Sequence, residues 1–85
     1  MKKITFSPEA FKEYNQWMID DMEIVKKITL LIREIQKDPF KGLGKPEPLK
    51  GNFSGHWSRR INLTHRLIYK VTNDNIEIRK CRDHY

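Results

Sequence analysis

Eighty-five residues, 38% of them hydrophobic and 33% charged, allow one domain at most, with enough apolar sequence for a folded core. A domain this small buries only roughly 60–65% of its unfolded-chain surface, so its margin of stability is narrow. No apolar run approaches the ~20 residues of a membrane helix. Met-Lys-Lys-Ile-Thr-Phe-Ser does not open as a signal peptide, and a single Cys81 excludes a disulfide framework or a cysteine-rich zinc site. A small cytosolic globular domain is expected.

Seventeen Lys and Arg stand against eleven Asp and Glu, a net charge of +6, and the excess is confined to one half of the chain. Residues 1–38 carry seven basic and seven acidic side chains; residues 39–85 carry ten and four. Five of the six arginines lie in that second half, and Arg suits bidentate phosphate contacts. A polyanionic partner is implied, nucleic acid ahead of a membrane surface.

In chain order, Lys3-Ile4-Thr5-Phe6 alternates polar and apolar as a short strand does. Ser7-Pro8-Glu9 supplies an N-cap, a first-turn proline and an acid where the helix dipole is positive. The helix that follows has Phe11, Tyr14, Trp17 and Met18 as its expected core stripe. A second helix is predicted from Ile24, Val25, Ile28, Leu31, Ile32 and Ile35 and ends at Asp38-Pro39, forming a hairpin turned near Asp20-Asp21.

From Pro39 to Gly55 lie three of the four prolines and all four glycines, predicting an ordered loop that presents side chains. Three strands then follow, at 57–61, 65–71 and 76–82, with an Asn- and Asp-rich hairpin turn before the last. In the middle strand Leu67, Tyr69 and Val71 share one face, and Arg66, Ile68 and Lys70 the other. The class is α+β, in the order β-α-α-β-β-β, a helical hairpin covering one face of an antiparallel sheet and leaving the other partly open.

RNA can be cut without a cofactor, since its 2′-hydroxyl can attack the neighbouring phosphorus given a base, an acid and cations for the phosphorane. Glu47 is the only acid between Pro39 and Val71 and lies among Lys45 and Lys50, which favour its ionised, proton-accepting form. His84 is a side chain suited to donating a proton near neutrality, and Arg66 leaves the middle strand on the face opposite Leu67. Each also has a plainer reading: a surface ion pair, a frayed terminus, a solvated arginine. His65 is expected to face inward beside Leu67, and His56 has no evident partner. The three histidines lack ligand spacing, which excludes a metalloenzyme, and Cys81 reads as a small buried residue. From the residues alone, a nuclease and a binding module both remain open.

The stretches Gly-Lys-Pro-Glu-Pro-Leu-Lys (44–50), Trp-Ser-Arg-Arg-Ile (57–61), His-Arg-Leu-Ile-Tyr (65–69) and Cys-Arg-Asp-His-Tyr (81–85) carry a resemblance that spans essentially the whole chain. It resembles the YoeB-type toxins of the RelE/ParE superfamily. That likeness implies one domain over 1–85 with a microbial-ribonuclease-like fold on a twisted sheet. It also implies a ribosome-dependent endoribonuclease that cuts mRNA in the ribosomal A site without metal or other cofactor. On the matching positions Glu47 resembles the general base, His84 the general acid and Arg66 the cation at the scissile phosphate. Lys50, Arg60 and Tyr85 match positions that contact phosphate and base. Implied partners are a YefM-like antitoxin, the ribosome with its mRNA, a second copy in a homodimer, and operator DNA only through the antitoxin complex. No membrane partner is implied. The competing expectation is a catalytically inactive toxin-fold protein that binds ribosome or nucleic acid with its antitoxin.

Overall fold

One residue both ends the first helix and starts the second. Asp21 donates its backbone N–H to Trp17 O, closing α1 (Pro8–Asp20), while its carboxylate accepts from Glu23 N–H at 3.0 Å, opening α2 (Met22–Lys37). The N-terminus of α1 is capped as its sequence predicts, with Ser7 Oγ accepting from Ala10 N–H at 3.1 Å. This computed structural model describes residues 2–83.

The stripe of α2 is buried at Ile24, Val25, Ile28, Leu31 and Ile35, with Ile32 packed at its margin. The α1 stripe is displaced from the expected one. Ala10, Tyr14 and Trp17 face the core, whereas Phe11 and Met18 are 57% and 46% exposed. Positions 10, 14 and 17 keep helical spacing but lie one residue, about 100°, round from 11 and 18. The small Ala10 is what permits close approach.

Strands β1 (Lys3–Phe6), β2 (Glu47–Pro48), β3 (Trp57–Arg60), β4 (Arg66–Val71) and β5 (Asn75–Lys80) form one sheet ordered β1-β5-β4-β3-β2. The helical hairpin on a sheet is as expected, but the sheet is mixed. β1 runs parallel to β5, Ile4 opposite Ile76, while the other neighbours are antiparallel. The two-residue β2 was expected as loop. β5 stops at Lys80 rather than continuing to residue 82, because the Cys81 N–H is taken by Glu13 Oε1 at 2.7 Å.

Leu67 and Tyr69 enter the core between sheet and helices, as their parity predicts. The opposite face is less open than expected, since Ile68 is fully buried there, outside the main core cluster. Arg59 is also fully buried, on the helix-facing side with Trp57. Its guanidinium donates to the carbonyls of Asp38 (2.7 Å), Lys41 (2.9 Å) and Leu43 (3.0 Å), and its Nε to Tyr69 Oη (3.1 Å). Tyr69 Oη donates in turn to Pro39 O at 2.6 Å. One charged side chain thus holds the chain leaving α2. Gly44, at φ +89°, completes the seam: a Cβ there would lie 3.0 Å from Leu31 Cδ2 and 3.2 Å from Arg60 O.

Candidate active site

Glu47 stands in register with Ser58, and Ser58 with Ile68, so these three side chains share the sheet face turned from the helices. On that face Arg60 lies directly opposite Arg66. The carboxylate of Glu47 reaches the guanidinium of Arg66, Oε1 to Nη1 3.5 Å. Because β2 and β4 are not neighbours, this contact bridges about two strand spacings, ~9.5 Å, and passes over β3. The β3 residue beneath is Ser58, fully buried and small enough to leave the passage clear.

At 3.5 Å the pair is a charge contact, and Arg66 Nη1, itself buried, makes no hydrogen bond among the described residues. The Ser58 Oγ is likewise buried without a hydrogen-bond partner among them. Two arginines side by side repel unless something negative lies between them. One half-exposed carboxylate does not neutralise Arg60, Arg66 and the exposed Lys50 at the start of the short 3₁₀ turn Gly51–Phe53. Among the described residues, the site has donors and positive charge left for an oxyanion.

Local backbone aims Glu47 at this face. Lys45 adopts φ +52°, a left-handed conformation uncommon outside glycine, immediately before Pro46 and β2. The Arg60 N–H donates to Gly44 O at 2.7 Å, and Phe40 packs on Trp57 with ring centroids 4.9 Å apart. Both contacts, with the Arg59 clamp, tie this segment to β3. Among the described residues, no group of three or more His, Cys, Asp or Glu is placed to hold a metal ion.

The C-terminal strand delivers its last residues to the same end of β4. The Arg66 N–H donates to Asp83 O at 2.9 Å, and Trp17 Nε1 donates to Cys81 O at 2.8 Å. The Arg82 guanidinium lies 4.1 Å over the Trp17 ring and pairs with Asp20 at 2.9 Å. That hydrogen bond, then one from Gln16, holds the Asp20 carboxyl below its ordinary range.

A YoeB-like toxin profile of bacterial type II toxin–antitoxin systems matches residues 6–85. The toxin YoeB of Streptomyces coelicolor is 52% identical over 83 residues, 98% of this chain and 99% of that one. The chain belongs to the YoeB-like toxins. Among solved structures, the YoeB dimer from Staphylococcus aureus superposes at TM-score 0.92 with 46% identity, covering 99% of this chain and 98% of that one. The heterotetrameric YoeB–YefM complex of the same organism gives 0.90 at 45% identity, covering 100% and 99%. The fold is therefore the RelE-like, microbial-ribonuclease-like one, and the chain is a toxin of a type II toxin–antitoxin pair.

Of the site residues expected in this YoeB-family chain, Glu47, Arg60 and Arg66 come together on one face, and Lys50 lies three residues beyond Glu47. His84 and Tyr85 lie outside the described residues. His65 faces inward as expected, edge-on to Trp17 with centroids 4.7 Å apart. His56 packs edge-on to Phe53 at 5.8 Å, and its buried ring nitrogens have no hydrogen-bond partner among the described residues. Cys81 is buried as expected, and burial pushes its thiol up to about 12.

Two residues escaped the sequence reading. Arg59 was counted with the surface charge, although its parity with Trp57 and Ile61 marks the inward face. Ser58 carries no signal of its own, and only the pairing of β2 with β3 places it under the Glu47–Arg66 contact.

Proposed function

We propose that the chain is a ribosome-dependent endoribonuclease that cleaves mRNA in the ribosomal A site and thereby stops translation. The observation that carries this reading is a carboxylate held against an arginine whose buried nitrogen has no hydrogen bond among the described residues, with a second arginine directly opposite. Glu47 takes the proton of a ribose 2′-hydroxyl, and the oxygen attacks the adjacent phosphorus. Arg66, with Arg60 and Lys50 nearby, stabilises the charge that builds on the non-bridging oxygens. His84 donates a proton to the departing 5′-oxygen, and Tyr85 contacts the substrate. One O–P bond forms and one breaks, giving a 2′,3′-cyclic phosphate and a 5′-hydroxyl with no metal required. The hydrogen bond from the Arg66 N–H to Asp83 O supports this assignment, because it holds the residue that precedes His84 in sequence beside Arg66.

The proposed partners are a YefM-like antitoxin, as in the Staphylococcus aureus complex, and a second copy of the chain, as in the dimer from that organism. An acidic antitoxin segment suits the basic half of the molecule. Operator DNA is reached only through that complex, and the cytoplasm is the proposed compartment.

Purified protein added to a translating cell-free system, with new mRNA 5′ ends mapped, tests the activity. Cuts at a fixed position in A-site codons, absent without ribosomes and absent with Glu47→Gln, are expected. Arrested translation on intact mRNA would show a blocking protein instead.

A further inference from the structure

Asp83 is anchored by the two consecutive residues His65 and Arg66. Its backbone N–H donates to His65 Nδ1 at 2.7 Å, and its carbonyl accepts from the Arg66 N–H at 2.9 Å. Between those bonds its φ is +60°, in the left-handed region, which costs a non-glycine residue of order 1–3 kcal/mol unless surroundings impose it. An imidazole nitrogen that accepts a hydrogen bond carries no proton, so this contact specifies neutral His65 with its proton on Nε2.

The imidazole is itself fixed before it meets the tail. Its ring stands edge-on to Trp17, and the His65 backbone N–H donates to Asn62 Oδ1 at 2.7 Å. The preceding tail residues are held independently by α1. Glu13 and Trp17 bind Cys81, while Asp20 and the Trp17 ring bind Arg82. Only the last described residue relies on β4, and its side-chain acceptor is His65. The Asp83 carboxylate, 3.9 Å from Nδ1, is the acid facing this ring.

We propose that His65 is a positioning residue: by accepting the Asp83 N–H it sets the left-handed turn at Asp83, the residue before His84 in sequence, beside Arg66. Its effect on cleavage rests on the endoribonuclease reading above; the anchor itself does not. His65 does not touch the reacting atoms. Its role is to fix where the proposed acid begins relative to the proposed phosphate ligand, and misplacement by about 1 Å can cost on the order of 100-fold in rate.

The test uses the full chain with two readouts: hydrogen exchange at the Asp83 amide, and single-turnover mRNA cleavage on programmed ribosomes at saturating protein. Asn offers Oδ1 at the same number of bonds from Cα as Nδ1, whereas Phe keeps the ring and offers no acceptor. His65→Asn is expected to keep the Asp83 amide protected and cleavage within about threefold of wild type. His65→Phe is expected to exchange that amide at least about tenfold faster and to slow cleavage about 10- to 100-fold, with ribosome affinity unchanged. If His65→Phe does not fold, His65→Gln, whose acceptor lies one bond too far, replaces it. An Asp83 amide equally protected in the acceptor-free variant overturns the anchor, and a freed amide with wild-type cleavage overturns the positioning role. A wild type that does not cleave overturns the endoribonuclease reading, and the amide then still decides the anchor.

Discussion

Glu47 meets Arg66 across a strand to which neither belongs, with Oε1 and Nη1 3.5 Å apart above the buried Ser58. Before substrate arrives, each charge screens the other. In the proposed reaction, a phosphate entering between Arg60 and Arg66 would compete with the carboxylate for the guanidinium and free it to accept a proton. Replacing Glu47 by Gln, or Arg66 by Gln, should leave the thermal midpoint nearly unchanged and lower mRNA cleavage about 100- to 10,000-fold. Relief of growth arrest on expression, with 5′-end mapping of cellular mRNA, is the check. Full toxicity in both variants would remove these roles.

Ser58 should tolerate loss of its hydroxyl but not gain of volume. Ser58→Ala is expected to cleave within a few-fold of wild type. Ser58→Leu fills the passage under the ion pair, costs about 1–3 kcal/mol by overpacking, and separates Glu47 from Arg66. Single-turnover cleavage alongside urea unfolding distinguishes displacement of the pair from simple instability.

Arg59 carries the opposite expectation. It is a structural arginine, and lysine cannot satisfy three carbonyls and a hydroxyl with one ammonium. Arg59→Lys should destabilise the fold by about 3–5 kcal/mol, read as a fall in the urea midpoint. A midpoint within experimental error of wild type would refute that assignment.

The contact between Asp20 and Arg82 should show in the acid limb of stability. The folded carboxyl is held below its ordinary value, so its contribution is complete above the unfolded value of about 3.9 and fades as pH falls through the folded one. Urea midpoints of wild type and Asp20→Asn should differ by a constant amount above about pH 5 and draw together progressively below about pH 4, as pH falls through the lowered folded value. A difference independent of pH down to pH 2 would contradict the shift.

Cys81 should be inert to thiol reagents while the fold is intact, since its thiol is buried and pushed up to about 12. Labelling by a chromogenic disulfide at pH 8 is expected to track global unfolding. A rapid stoichiometric reaction with the native protein would show that the C-terminal strand opens on its own.

The helices were legible because their information is local: the spacing of Ile24 to Ile35, the cap at Ser7 and the stop at Asp38-Pro39. The α1 stripe was legible at Tyr14 and Trp17 but not at Phe11 and Met18, which are exposed, because a small Ala10 gives a weak hydrophobic signal although small size is what the contact demands. β2 was illegible because two residues flanked by prolines have no period; the strand exists only through pairing with Trp57 and Ser58. The parallel partnership of β1 with β5 is equally non-local. At the candidate site, Glu47 and Arg66 were singled out by charge chemistry and Arg60 by family likeness, while their meeting on one face depends on strand register. The burial of Arg59 was hidden by the ordinary exposure of arginine. The anchoring of Asp83 by His65 depends on a register between chain segments eighteen residues apart.

β5 lies between β1 and β4, so the first strand made has no partner until the last strand has been synthesised. Translation runs from N- to C-terminus, so β1 and β4 are both made before β5, the strand that joins them. Without β5, which begins at Asn75, β1 has no neighbour in the sheet and β4 is paired on one side only. Closure of the sheet therefore waits for β5, the last of its five strands in chain order.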